Sequence, residues 1–430
     1  MRFFGLTVAI FGVAIACGGR SGDQNDAGAQ SDAGNVDETD DDASDAAAIA
    51  YPAPHTAMPL VDYNGGRVIP NPNIVTVTWA SDDPTMVARL QQFDDIITTT
   101  SWWTAVSSEY CEQPNSTSPT CIGPGTAGAH VVINDPPPAS FTDSASQGAP
   151  STIKDFIQAQ ITATLNAGDA GATDGGVSPG FPAPDGVNTL YVIYLPAGVS
   201  VSLDGDASCG SYLAYHDTLA ADVVDAQVSA PYAIIPRCGT KESTATDSAS
   251  HEIIEASTDP DIGINSIAYY MLNQTWASEG GEVGDLCTGK TTTESSFVVQ
   301  RIWSNKSVQA GEDPCVPVPS GEVYFNAAPQ QQTIDLLKAG DTATINIDAF
   351  SDAPYPPWTL SAVDVAAEGP NQNSALLSFA FDKTSVQNGD HAVLTVTALQ
   401  AIPNDGDELF VESQDANKNR HTWPVTVVAK

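Results

Sequence analysis

The pattern of apolar residues changes once along this chain of 430 residues, at a proline-rich segment after Cys315 that reads Val316-Pro317-Val318-Pro319-Ser320. Before that segment, strand-like runs alternate with stretches whose apolar residues recur every three or four positions, as in helices. After it, short β-rich runs follow one another with turn residues between them. Such a change predicts an α+β domain followed by an all-β domain.

The first domain, residues 51–316, combines strands with helices. Its strongest β signal is NIVTVTWA, because β-branched residues dominate it. Strands are predicted at Asn73–Ala80, Ala129–Ile133 and Thr189–Leu195, and helices from Asp83-Pro84, at Thr152–Leu165 and at Ala249–Ser257. Ala167–Gly186 is rich in glycine, aspartate and proline, so it is predicted to be an exposed loop.

The second domain, residues 321–430, is predicted to be an immunoglobulin-like β-sandwich. Its β runs are Glu322–Asn326, Thr342–Ala349, Trp358–Val365, Leu376–Phe381, Ala392–Ala398, Glu408–Glu412 and Thr422–Val428. The runs bring together no cluster of charged residues. We therefore expect a binding or spacer role for this domain.

The first residues indicate export. Residues 1–17 comprise a basic start, an apolar run from Phe3 to Ala16 that is too short to span a bilayer, and then Cys17. Small residues directly before a cysteine are typical of the bacterial lipobox, in which Cys17 would be lipidated. The alternative is an ordinary secretory signal with a chance cysteine, and that signal also exports the protein.

Residues 18–50 are expected to form a disordered acidic tether. The part from Ser21 to Ala50 holds nine acidic residues and neither lysine nor arginine, so it cannot bury a core. A tether of this kind would hold the folded domains away from a membrane. We therefore predict a lipid-anchored protein at the bacterial cell surface, and Gly18 after the cysteine favours the outer membrane if the cell has one.

Charge and cysteine usage restrict the partners and the redox compartment. The formal net charge of −38 excludes nucleic acid as a partner, and it leaves the lipid anchor as the one contact with a membrane. Six cysteines besides Cys17 predict disulfides in an exported chain. Their spacing does not fix the pairing, but sequential pairing closes the shortest loops and is expected: Cys111–Cys121, Cys209–Cys238 and Cys287–Cys315. We expect a monomer.

The motif His251-Glu252-Ile253-Ile254-Glu255 carries the clearest chemistry. On a helix, His251 and Glu255 face the same way because they are four residues apart. This is the layout of a helical zinc-peptidase motif with glutamate in place of its second histidine. His251 and Glu255 would bind the metal, and Glu252 would be the general base. The alternative is a helix that pairs these residues for structure alone.

A second segment could complete the site. Glu279-Gly280-Gly281-Glu282-Val283-Gly284-Asp285 sets three carboxylates in a glycine-rich stretch next to Cys287. Catalytic zinc has three protein ligands, so Asp285 or Glu282 is predicted to be the third. The alternative is an acidic turn. His216 could be a further ligand or a nearby hydrogen-bond donor, although a structural histidine is the more frequent case.

These residues resemble a known family. SHEIIEASTDP followed by GGEVGDLC is similar to the paired signature of the EXORDIUM (phosphate-induced protein) family, whose members are secreted. NIVTVTW, SWWTAVSSEY, TLYVIYL, CGSYLAYH, PYAIIPRC and FVVQRIWSN occur in the family's order. The resemblance spans about Val68 to Cys315, and Ala167–Gly186 is an insertion relative to it. It implies a zincin-like fold but no established reaction.

Two functions follow from the sequence. The first is a surface-tethered metal-dependent hydrolase, a zinc peptidase, that acts on protein, peptide or cell-wall glycan. Two carboxylate ligands would make Zn²⁺ less electrophilic than two histidines would, so activity would be weak or the metal another one. The second is a non-enzymatic extracellular binding or signalling module that has kept a peptidase-like fold.

Overall fold

The chain is described by a computed structural model, which covers residues 50–146, 148–167, 180–220, 229–262, 267–278, 280–368 and 375–430. The predicted signal, Cys17 and the tether up to residue 49 lie outside these residues. So do residues 168–179 of the predicted loop, and Glu279. The described residues form a mixed α/β region followed by an all-β region, and β-strands dominate both.

The first region contains sixteen strands and six α-helices among its described residues. The strands are β1 Asp62–Tyr63, β2 Asn73–Trp79, β3 Cys111–Glu112, β4 Thr120–Cys121, β5 Thr126–Ile133, β6 Ser140–Asp143, β7 Thr189–Tyr194, β8 Ser200–Leu203, β9 Asp206–Ala207, β10 Tyr215–Leu219, β11 Ala230–Ile235, β12 Tyr269–Tyr270, β13 Thr291–Glu294, β14 Phe297–Gln300, β15 Ile302–Trp303 and β16 Cys315–Val316. The helices are α1 Pro84–Ile96, α2 Ser101–Ser107, α3 Thr152–Ala167, α4 Glu242–Thr258, α5 Gln274–Ala277 and α6 Asn305–Ala310, with 3₁₀ turns at Ile97–Thr99 and Asp285–Cys287.

A five-stranded sheet in the order β10-β11-β7-β2-β5 organises this region. The four strands β11, β7, β2 and β5 are parallel, and β10 runs antiparallel at one edge. β7 and β11 are buried along their whole length, as expected for strands covered on both faces. Side chains of α1 and α4 share one hydrophobic cluster with one face of the sheet, and those of α3 share a second cluster with the other face.

The second region is a two-sheet β structure. Its strands are β17 Phe325–Pro329, β18 Thr333–Leu336, β19 Thr342–Ser351, β20 Trp358–Asp364, β21 Leu377–Phe381, β22 Ser385–Val386, β23 His391–Ala398, β24 Asp407–Gln414 and β25 Arg420–Ala429, with a short helix α7 at Val365–Glu368. One sheet has the order β17-β19-β23-β21 and the other β18-β25-β24-β20-β22. These strands pair only with each other within the described part of the chain.

Side chains from both regions meet at a shared apolar contact. Trp276 of α5 packs edge-on against Trp303 of the first region and Trp423 of the second, with ring centroids 5.5 and 5.2 Å apart. The segment before β1 also contacts both regions. His55 stacks on Phe350 of the second region with ring centroids 3.5 Å apart. Val61 N donates to Asn305 Oδ1 at 2.9 Å, and Val61 O accepts from Asn305 Nδ2 at 2.8 Å.

The predicted elements are present, but several bounds differ. Helix α4 begins at Glu242, seven residues before the predicted start at Ala249, because its first turns carry few apolar residues to reveal a helical period. β10, β11 and the hairpin of β13 and β14 were not predicted as strands. In the second region the two strands without a prediction are β18 and β22, which have four and two residues.

The described residues include three disulfides, Cys111–Cys121, Cys209–Cys238 and Cys287–Cys315, which is the sequential pairing. They fit an exported protein, since such bonds persist in oxidising compartments. Across the described ranges, no helix combines the length and the apolar character that crossing a bilayer requires.

Candidate metal centre

Helix α4 places the motif His251-Glu252-Ile253-Ile254-Glu255 between the sheet and a glycine-rich loop. Ile253 and Ile254 are fully buried and belong to the cluster that α4 shares with the sheet. His251 and Glu255 therefore face the opposite neighbour, the loop from Gly280 to Cys287. The C-terminal residue of the helix is Thr258, and the following Asp259-Pro260 prevents another turn.

One cluster joins the helix to the loop. His251 Nε2 lies 2.9 Å from Glu255 Oε2 and 3.6 Å from Asp285 Oδ1. Ligand atoms of these three residues lie within 4.8 Å of one another. The exposed fractions of the side chains are 12% for His251, 2% for Glu255 and 11% for Asp285, so the cluster is largely buried.

The loop approaches the helix closely because it contains glycine. The backbone N–H groups of Gly284 and Asp285 both donate to Glu255 Oε1 at 3.0 Å. A Cβ atom on Gly284 would lie 2.8 Å from that same oxygen and 2.9 Å from His251 Nδ1, which no side chain tolerates without movement. Gly281 has φ +90°, and a Cβ there would meet the Tyr270 ring at 2.4 Å.

Gln300, at the end of β14, sets the tautomer of His251. Its amide Nε2 donates to the carbonyl oxygen of Gly284 at 2.6 Å, which fixes the orientation of the amide group. Oε1 is then the acceptor that faces His251 Nδ1 at 2.9 Å, so Nδ1 carries the proton. In the neutral ring, the lone pair of Nε2 consequently points at Glu255 and Asp285.

A second cluster lies deeper. His216 on β10 places Nδ1 3.3 Å from Glu252 Oε2 and 3.8 Å from Glu255 Oε2, and these three residues also have ligand atoms within 4.8 Å of one another. His216 Nε2 lies 3.5 Å from Glu282 Oε1. His216 Nε2 and Glu282 Oε1 are both buried, and neither has a hydrogen-bond partner among the described residues. Glu255 belongs to both clusters.

Burial and neighbouring charges shift the pKa values of groups in both clusters. Burial lowers the pKa of His216, but the carboxylates of Glu282 and Glu252 outweigh it and raise that pKa to about 10. Burial, with Glu255 adding to it, raises the pKa of Asp285 to about 8. Burial also raises the pKa of Glu282 well above its usual range. Without a cation, the protein must hold extra protons here at neutral pH.

The donors fit a divalent cation. Two imidazoles and four carboxylates converge in a buried space, and two protonated rings could not balance the charge of four ionised carboxylates. Imidazole nitrogen and carboxylate oxygen are ligands that Zn²⁺ and related ions accept. His251 Nδ1 donates its proton to Gln300 Oε1, and metal-binding histidines typically donate their other ring N–H to such an acceptor.

The residues predicted from the sequence come together in space. His251, Glu252, Glu255, Glu282 and Asp285 all lie at the junction of α4 with the glycine loop. Asp285 lies beside His251, whereas Glu282 lies beside His216. The two candidates for the third ligand therefore belong to different clusters.

Sequence reasoning missed Gln300. It lies in the FVVQRIWSN segment, whose strand-like pattern gives no sign that Gln300, the last residue of β14, turns inward toward the site.

Similarity to known proteins is confined to solved structures. No family model matches the chain, and no curated protein matches it. Solved structures match in part. The BIgI domain of beta protein from S. agalactiae bound to CEACAM1 has 16% identity and a TM-score of 0.17, covering 25% of this chain and 95% of that one. A lipoprotein from Bacteroides thetaiotaomicron has 16% identity and a TM-score of 0.17, covering 27% and 85%.

A Bacteroides ovatus GH5 xyloglucanase in complex with a XXXG heptasaccharide has 14% identity and a TM-score of 0.17. The match covers 25% of this chain and 19% of the xyloglucanase, so this chain spans about a fifth of that protein. Likenesses at these TM-scores carry no argument about this chain.

Proposed function

We propose that this chain is an exported, lipid-anchored metal-dependent hydrolase, a zinc peptidase, whose α+β domain is zincin-like and whose second domain is an immunoglobulin-like sandwich. The observation that carries the proposal is the fixed tautomer of His251. Gln300 keeps a proton on Nδ1, so Nε2 is the ring nitrogen that faces two carboxylates, and a cation there would replace the proton that Nε2 otherwise carries. A lone pair 2.9 Å from Glu255 Oε2 is favourable only if a proton or a cation lies between them.

His251, Glu255 and Asp285 would hold the cation, with His216 and Glu282 next to it. When bound, a divalent cation supplies Lewis acidity toward a carbonyl group and lowers the pKa of water. The loop keeps Glu255 in place through two backbone N–H groups, so its orientation does not depend on the ion.

Glu252 would act as the general base. Its Oε1 lies 3.9 Å from His251 Nε2 and its Oε2 lies 3.3 Å from His216 Nδ1. From there it would take a proton from the attacking water and pass it to the leaving amine. His216 would hold the carboxylate by its ring N–H during this transfer. The substrate would be a protein, a peptide or a cell-wall glycan at the bacterial surface.

One observation favours the second function, a non-enzymatic EXORDIUM-like binding module. The side chains of His216, Glu252 and Glu255 are only 3, 5 and 2% exposed. Both carboxylate oxygens of Glu255 are engaged within the protein, so the motif also ties the loop to the helix. In this function the clusters would be structural, with no turnover.

The substitution Glu252→Gln separates the two functions, with the exposed Glu312→Gln as its matched control. The peptidase predicts that Glu252→Gln keeps its metal but no longer hydrolyses denatured protein or a peptide library, while Glu312→Gln behaves like the wild type. A wild-type protein that holds metal and hydrolyses none of these substrates would instead support the binding module.

A further inference from the structure

A cavity lies where the second region meets the glycine loop of the candidate metal centre. Its volume is about 110 Å³. The loop contributes Asp285–Cys287 to its wall, and β25 of the second region contributes residues 420–422. Asp285 thus belongs both to this wall and to the cluster with His251. A group bound in the cavity would therefore lie next to the metal centre and contact both regions.

The size and the apolar walls of the cavity restrict what it can hold. Four large side chains in the wall are buried, namely Met58, Trp276, Trp303 and Tyr324. They offer apolar contact to the methylene groups of a ligand. An apolar cavity of about 150 Å³ takes a benzene ring. The smaller volume here has room for a short side chain or a chain end rather than for an aromatic side chain.

Lys290 brings a positive charge to the cavity. Its half-buried side chain donates from Nζ to the backbone carbonyl oxygen of Arg420, and both residues line the wall. An ammonium group has three N–H donors, so two are left. Asp313 and Glu322 pair with Arg301 instead, and Lys290 forms no ion pair with any residue that the structure describes. A half-buried cation of this kind is stabilised by an anionic ligand.

The two carboxylates in the wall have partners of their own. Asp313 Oδ2 accepts from Arg301 Nη2 at 2.6 Å, and its Oδ1 accepts from a backbone N–H at 2.9 Å. Asp285 faces His251 in the candidate metal centre, where a bound cation would balance its charge. Burial is the main cause that lowers the pKa of Lys290, and a carboxylate beside the ammonium would oppose that shift.

We propose that this cavity is a substrate pocket that binds a carboxylate group of a peptide, either an acidic side chain or the C-terminal carboxylate, next to the metal. Lys290 would donate to the carboxylate, and the apolar walls would contact its methylene groups. The inference rests on the proposed function, because it places the pocket beside the ion that would act on the peptide bond. The second region would then form part of the site and not only a spacer.

Peptide binding to the full-length Glu252→Gln protein tests the pocket without turnover. Isothermal titration calorimetry at one ionic strength compares three peptides of equal length. The first has an internal glutamate and an amidated C-terminus, the second has glutamine in its place, and the third is the glutamine peptide with a free C-terminus. We expect a carboxylate peptide to bind about tenfold or more tighter than the amidated glutamine peptide. Which of the two does so identifies the source of the carboxylate.

Lys290→Gln, made in the same Glu252→Gln protein, should abolish the preference for a carboxylate. The amide can still donate to the carbonyl oxygen of Arg420, but the positive charge is lost. Lys338→Gln is the matched control, because Lys338 is an exposed lysine of the second region, and it should keep the preference. Thermal melts establish that each variant is folded. The proposal is overturned if neither carboxylate peptide binds tighter than the neutral one, or if folded Lys290→Gln keeps the preference.

Hydrolysis of the same three peptides by the wild type separates this inference from the proposed function. A protein that prefers a carboxylate peptide in binding but hydrolyses none of the three has the pocket and is not a peptidase. A protein that binds all three equally and hydrolyses them at equal rates is a peptidase without the pocket.

Discussion

Gln300→Met tests the part of the account on which the metal centre depends. The substitution keeps the length and much of the volume of the side chain but removes the acceptor for His251 Nδ1 and the donor to the Gly284 carbonyl. The imidazole then loses its fixed tautomer, and the glycine loop loses one of its contacts with β14. Gln300 is 5% exposed, so water cannot readily replace either hydrogen bond.

Two effects of Gln300→Met are expected. Loss of a group that orients a metal-binding histidine typically lowers metal affinity about 10- to 100-fold, or roughly 1.4–2.7 kcal/mol. The Gly284 carbonyl left without a partner should lower the free energy of unfolding by about 1–3 kcal/mol. A competition titration of Zn²⁺ against a chromophoric chelator gives the first quantity, and urea denaturation of the metal-free protein gives the second.

Gln387→Met is the matched control, because Gln387 is an exposed glutamine in the second region. It should change neither quantity. The reasoning is refuted if folded Gln300→Met binds Zn²⁺ as tightly as the wild type, since the tautomer of His251 would then be irrelevant to binding.

Three further predictions concern the loop, its disulfide and a buried acid. Gly284→Ala should weaken Zn²⁺ binding in the same titration, because its Cβ would lie only 2.8 Å from Glu255 Oε1. Gly210→Ala is the control and should bind Zn²⁺ like the wild type, because its Cβ would lie 3.5 Å from the nearest atom. Replacing Cys287 and Cys315 by serine should lower the free energy of unfolding by about 3–4 kcal/mol and weaken Zn²⁺ binding. The same change at Cys111 and Cys121 should leave Zn²⁺ binding unchanged. Equal effects of the two changes on Zn²⁺ binding would contradict this prediction. Burial raises the pKa of Asp94 to about 7, so the folded protein keeps this proton after the unfolded chain has released it. The contribution of Asp94 to stability therefore falls as pH rises from about 4 to 7. Asp94→Asn should show a smaller loss of stability between pH 5 and 8 in urea denaturation than the wild type, and an unchanged loss would refute this.

The sequence indicated β2 and β7, whose apolar runs are rich in β-branched and aromatic residues, but it did not indicate β11, although β11 is also buried along its whole length. It did not indicate β10 or the β13–β14 hairpin, whose residues mix polar and apolar types and depend on partners distant in the chain. The start of α4 was missed for a related reason, since its first turns are rich in serine and threonine.

The candidate site could be predicted in its residue types but not in its arrangement. The spacing of His251 and Glu255 follows from the helix, so it was visible in the sequence. That Asp285 lies beside His251 while Glu282 lies beside His216 depends on the path of the glycine loop. Gln300 acts through a hydrogen bond to a backbone carbonyl, and such a role leaves no mark in the pattern of the sequence.

The metal content of the purified full-length protein tests the central claim most directly. Elemental analysis after exhaustive dialysis against metal-free buffer, followed by titration with Zn²⁺, should give one tightly held divalent ion per chain. His251→Ala should bind the ion much more weakly. A wild-type protein that contains no metal and takes up no Zn²⁺ on titration would contradict the account.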